Sequence, residues 1–131
     1  LYNSLPKNEK SFDIDMHGDV TGLQYKGTFT ARCVLSIASR HAMELEKTRL
    51  MADYANPSNG LAGIAIALSS IRAKIVEGPA WWKDSDGGAN LLDENVIFRL
   101  YDECNKLEAT WKKELKKDGE EAQKGNAQPE S

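Results

Sequence analysis

Two stretches near the start of the chain alternate apolar and polar residues. Phe12, Ile14 and Met16 alternate with Asp13, Asp15 and His17. Beyond the turn-like run 18–22, Leu23, Tyr25, Phe29, Ala31 and Cys33 alternate with Gln24, Lys26, Thr28, Thr30 and Arg32. A strand sends successive side chains to opposite faces, so each run predicts a strand with one apolar and one polar face. Joined by a glycine-containing loop, the two runs predict a β-hairpin. Gly27 interrupts the apolar face of the second strand. A bulge or the close approach of another backbone accounts for it.

The pattern then turns helical. Residues 36–55 are rich in Ala, Leu, Met, Glu and Lys, which favour helix. Ala38, Ala42, Leu45 and Ala52 form one thin stripe, while Met43, Leu50, Met51 and Tyr54 lie elsewhere on the cylinder. The run 56–60 (Asn-Pro-Ser-Asn-Gly) breaks the chain, and a second helix is predicted over 61–77. Leu61, Ile64, Leu68, Ile71 and Ile75 run down one side, and alanines fill much of the rest. A helix apolar nearly all round belongs at the centre of a core. Gly78 and Pro79 end it, and 78–92 reads as a long loop. Asp93 is the predicted N-cap of a third helix, with Leu92 stapled to Ile97. Ile97, Leu100, Tyr101, Cys104, Leu107, Trp111 and Leu115 make its inner stripe.

These elements predict an α+β fold: an N-terminal β-hairpin followed by a three-helix bundle, with helix two central. Residues 1–11 read as an N-terminal arm, 12–117 as a single α+β domain and 118–131 as a flexible C-terminal tail.

Composition narrows the function classes. The 131 residues are 40% hydrophobic and 28% charged, which suits one globular domain rather than a disordered chain. A net charge of −3 gives no footprint for a polyanion, so nucleic acid is disfavoured as a partner. No apolar run approaches the ~20 residues that span a bilayer, so no membrane role is expected. Cys33 and Cys104 have no CxxC spacing and sit on apolar faces, which predicts buried free thiols in a reducing compartment.

Candidate chemistry is sparse. His17 and His41 lie near no nucleophile elbow, and no phosphate-binding glycine motif occurs. The run 84–88 (Asp-Ser-Asp-Gly-Gly) opens like a calcium loop. Its sixth position is Ala89 and its twelfth Asn95, where the loop requires Gly and Glu. No catalytic residue, metal ligand or cofactor is assigned.

The side chains suited to gripping another protein are more conspicuous. Trp81 and Trp82 are adjacent in a loop, where one is expected in the core and the other partly exposed. Trp and Tyr dominate interface hot spots, and Met makes adaptable surfaces. Trp81, Trp82, Tyr25, Phe29, Met43, Met51 and Tyr54 are therefore the candidate partner-binding residues, with core packing against helix two as the other reading of Tyr25 and Phe29.

The order of short blocks is also informative. The run 25–32 (YKGTFTAR) is followed by two helices, the second ending in 75–82 (IVEGPAWW). The run 91–96 (LLDENV) then leads into a helix containing Tyr101 and Trp111. Over residues 20–115 this resembles the small tail-assembly chaperones of tailed bacteriophages. The resemblance implies a largely helical, non-catalytic protein of the host cytoplasm. Its partners would be tape-measure or tail-tube proteins, whose apolar surface it shields during tail assembly. The N-terminal arm departs from that pattern. It brings in the alternative of a resident virion component, a capsid-associated or connector subunit, with capsid proteins as partners. A small host-directed inhibitor or enzyme is a third possibility, and a homo-oligomer stays open.

Overall fold

The computed structural model describes residues 7–52 and 59–126. The elements run β1 (Glu9–His17), β2 (Gln24–Arg32), α1 (Ile37–Met51), α2 (Asn59–Lys74), β3 (Ile75–Glu77), α3 (Ala80–Asp84) and α4 (Glu94–Asn126). The strands form one antiparallel sheet in the order β1-β2-β3. The chain is thus a mixed α+β structure.

The hairpin register follows directly from the alternation. Phe12 pairs with Phe29, Ile14 with Gly27 and Met16 with Tyr25 on the inner face. Asp13 pairs with Thr28, and Ser11 with Thr30, on the outer face. There the Thr28 hydroxyl donates to Asp13 Oδ1 at 2.6 Å, and the Ser11 and Thr30 hydroxyls lie 3.0 Å apart. The outer face therefore satisfies its polar groups across the strands, leaving the inner face for the core. Gly27 makes no bulge against β1. A Cβ there would fall 2.6 Å from Pro79 Cγ, so the missing side chain admits a proline ring rather than a backbone.

Helices α2 and α4 pack together, and α4 also packs on β1 and β2. Their contact buries Ala67 and Ile71 with Val96, Ile97, Leu100 and Cys104, against Ile14, Tyr25, Phe29 and Ala31 of the sheet. The inner stripe of α4 holds along its length: none of its residues from Ile97 to Leu115 is exposed. Lys74, 5% exposed, ends α2 inside this layer. Its Nζ meets Glu108 Oε1 at 2.9 Å, and Lys112 Nζ meets Oε2 of the same carboxylate at 3.2 Å. Burial pushes the Glu108 carboxyl up, but the hydrogen bond and charge of Lys74, with Lys112, outweigh it and hold it below its ordinary value.

Several expected boundaries move. The second helix ends at Lys74, and the β-branched pair Ile75 and Val76 begins a third strand against β2. An apolar helix running straight into an apolar strand leaves no break to read. The expected loop 78–92 contains the short helix α3, so four helices occur among the described residues where three were expected. Strand β1 begins at Glu9, inside the stretch read as an arm, and α4 continues past 117 to Asn126. Helix α1 presents the two sides read from its sequence differently. Ala38, Ala42, Leu45 and Ala52 are exposed, and its less exposed side carries Met43, Leu50 and Met51.

Phe29 is fully buried, stacked on Phe12 at 5.4 Å and met edge-on by Trp81 and Trp82. Phe29→Ala is expected to cost about 3–5 kcal/mol, read as a lowered urea midpoint with an unchanged slope.

Candidate functional site

The turn joining β1 to β2 is short, and it closes on itself. Gly18 N donates to Leu23 O at 2.9 Å, and Gly22 N donates to Gly18 O at 3.0 Å. Gly22 has φ +73°, which a glycine adopts without strain. The backbone N–H groups of Val20 and Thr21 then point away from the hairpin and need acceptors.

Asp93 supplies them. Its Oδ1 accepts from Val20 N and Thr21 N, both at 2.8 Å. Its Oδ2 accepts from the Thr21 and Tyr25 hydroxyls, both at 2.6 Å. All four donors come from the hairpin, so the carboxylate ties two distant segments instead of capping α4 as expected. Asn95 adds a second tie: Asp19 N donates to its Oδ1 at 3.1 Å, and its Nδ2 donates to His17 O at 3.0 Å. Gly18 makes room for this. A Cβ there would fall 2.1 Å from Asp93 Cγ.

The electrostatics follow from the donors. Asp93 is 0% exposed, and burial pushes its carboxyl up. The hydrogen bonds from Thr21, Tyr25 and the Val20 and Thr21 amides outweigh that, lowering it from 3.8 to about 2. The same bond pushes the Tyr25 hydroxyl up, with burial adding to it. Asp93 is therefore ionised at neutral pH, with each oxygen accepting two hydrogen bonds.

Near this buried knot three aliphatic side chains are exposed among polar neighbours such as Asp19, Thr21 and Glu94. Val20 is 70% exposed, Leu23 60% and Leu92 70%. Val20 and Leu23 flank the bonded residues of the turn, and Leu92 immediately precedes Asp93. Leu92 does not staple to Ile97, which is buried. Leu91 packs against the core instead. Val20 and Leu23 thus sit on a turn fixed by hydrogen bonds, and Leu92 adjoins the residue that fixes it.

The residues singled out from the sequence have other roles. Tyr25, Phe29 and Trp82 are 6%, 0% and 7% exposed, so they pack in the core and do not form a partner-gripping surface, and of the tryptophan pair one is in the core and the other partly exposed, as expected. Trp81 is half-buried, edge-on to Tyr25 at 5.0 Å and Phe29 at 5.5 Å, and its Nε1 donates to Lys26 O at 3.0 Å. Adjacent tryptophans both reach β2 because the short helix α3 lies beside that strand. Met43 and Met51 are half-buried on α1, and Tyr54 lies outside the described residues. Cys33 and Cys104 are buried free thiols, as expected. Burial pushes both up, Cys104 to about 12, so neither is a thiolate nucleophile at neutral pH.

In the loop after α3, the Ser85 hydroxyl donates to Trp82 O and accepts from Gly88 N. The Asp86 carbonyl takes a hydrogen bond from Arg72, whose Nε also bonds Glu46. The loop is thereby a brace between α3, α2 and α1. Among the described residues no His, Cys, Asp and Glu cluster has the makings of a metal site, and no helix is long and apolar enough to cross a membrane. Sequence reasoning missed the patch at the hairpin tip. Its one signal was the presence of Val20, Leu23 and Leu92 at turn and loop positions, where polar residues are usual. Comparison with protein-family models, curated proteins and solved structures finds no match to this chain.

A carboxyl lowered by folding contributes stability above its ordinary value and loses it as the pH falls through its folded value. Asp93 should therefore give stability that is complete above about pH 4 and fades towards pH 2. In urea titrations at stepped pH, Asp93→Asn is expected to be less stable at neutral pH and to lose that share of the acid slope. Gly18→Ala should destabilise at neutral pH by displacing the carboxylate. Both variants should shift the Tyr25 ring resonances.

Proposed function

We propose that this chain is a non-catalytic protein-binding factor. It holds an apolar segment of another protein at the tip of its hairpin. The exposed Val20, Leu23 and Leu92 around the Asp93 knot carry this reading. Exposed aliphatic side chains clustered at one place mark interaction surfaces. A backbone already fixed by hydrogen bonds loses little conformational freedom on binding, which favours affinity. The chemically conspicuous groups favour binding over catalysis. Asp93 has its acceptor capacity filled from within the fold, and the two thiols are held protonated.

The resemblance to tail-assembly chaperones supplies a biological setting. In that setting the protein acts in the host cytoplasm during phage morphogenesis and covers apolar surface on a tape-measure or tail-tube protein. Such proteins carry long apolar stretches that aggregate unless masked before assembly. No specific observation favours the alternative of a resident virion subunit.

Val20→Ser combined with Leu92→Ser is expected to weaken capture of a tape-measure or tail-tube protein about tenfold or more, since each loses a buried aliphatic contact. Both positions are exposed in the free protein, so its thermal midpoint should move by no more than a few degrees. Calorimetric titration and a thermal melt read the two quantities. Unchanged affinity rules out the hairpin tip as the contact, and mass spectrometry of purified particles separates an assembly factor from a virion subunit.

A further inference from the structure

A second surface lies on the side of the molecule where α1, the end of α2 and α4 meet. A groove of ≈ 520 Å³ opens there. Its apolar wall is Val34, Leu35, Met43 and Trp111. The Trp111 indole is held in place because its Nε1 donates to Lys7 O at 2.8 Å. Ligand clefts commonly span roughly 300–1,000 Å³, so the groove has room for a few side chains.

Its charge is opposite to that of the chain. Arg40, Lys74 and Lys112 line it, against the single carboxylate of Glu108. Lys74 and Lys112 share that carboxylate, and Arg40 has no ion-pair partner among the described residues. The lining therefore carries two positive charges in excess, on a protein of net charge −3. Arg40 is exposed on the first turns of α1, and its planar guanidinium suits two-point bonding to a carboxylate. The apolar wall adjoins these cations, so a ligand offering only charge would leave that wall unused.

We infer that this groove binds an acidic segment of a partner protein, seating an apolar side chain against Trp111 and Met43 while a neighbouring Asp or Glu pairs with Arg40. This rests on the protein-binding reading but uses a surface distinct from the hairpin tip. The excess charge would steer an acidic segment to the groove, and the pairing would weaken as salt rises.

The experiment is a selection from a displayed random-peptide library on the intact protein, with Arg40→Glu as the counter-selected variant. Peptides in which Asp or Glu adjoins an aliphatic or aromatic residue should be enriched on the native protein alone. A selected peptide should lose about tenfold or more in affinity on Arg40→Glu, since hydrogen bonds to charged groups are worth that factor. It should lose less on Lys112→Gln, and it should shift the Trp111 indole resonance. The Val20→Ser, Leu92→Ser protein should bind it normally. Arg40→Glu must keep the native thermal midpoint for the comparison to count, and Arg40→Gln serves as the milder variant. Equal binding of the Asn/Gln versions of the peptide would overturn the proposal. So would unchanged affinity in both Arg40 variants, or a concentration-dependent dimer that Arg40→Glu abolishes, which would make the occupant a second copy. If capture of a partner fails in the hairpin-tip variant and survives in the Arg40 variants, the groove is refuted and the binding reading stands.

Discussion

A charge taken out of water must be given compensating hydrogen bonds or it unfolds the site that holds it. Asp93 meets that condition with four donors, all from one hairpin. The bonds link residues separated by about 70 positions, so this side chain, with Asn95 beside it, anchors the hairpin to the start of α4. The sheet face, the path of Leu91 and Leu92 and the orientation of Tyr25 all follow from that placement. Tyr25 belongs at once to the polar knot and to the aromatic core, since its ring lies edge-on to Trp81. The hydrogen-bonded end of the molecule and its hydrophobic centre are thereby one continuous structure.

The aromatic core has its own geometric demand. Phe29 touches three other aromatic rings, and two come from consecutive residues. Consecutive side chains reach one strand when the backbone turns helically beside it, and α3 provides that turn. Glycines at the contact complete the fit. Gly27 admits Pro79, and a Cβ on Gly78 would fall 2.9 Å from both Phe29 and Trp82. Edge-on aromatic pairs add roughly 0.5–1.5 kcal/mol each beyond their buried area, so this cluster contributes substantially to a fold of ordinary stability.

Sequence pattern alone revealed the parts that depend on local periodicity. The hairpin with its apolar and polar faces and the inner stripe of α4 follow from alternation and helical spacing, and the structure has both. It did not reveal what depends on distant partners. Asp93 looks like an N-cap because its neighbours begin a helix, and nothing nearby announces that its carboxylate belongs to the turn after β1. The aromatic residues looked like a gripping surface because Trp and Tyr dominate interface hot spots. The element that covers Tyr25 and Phe29, α3, lay in a stretch whose glycines and aspartates read as loop. Strand β3 was hidden because Ile75 continues the apolar side of α2.

No residue of α1 is buried. The helix is held to its neighbour by half-covered methionine and leucine side chains and by the ion pair of Glu46 with Arg72, which is partly exposed. The sheet and α4, by contrast, share the fully buried layer. Cooperative opening energies scale with such burial, so α1 is less protected than the sheet and the buried part of α4. The molecule is in effect a firm kernel with a detachable cover, and the backbone amides of α1 would exchange with solvent while those of β2 stay locked.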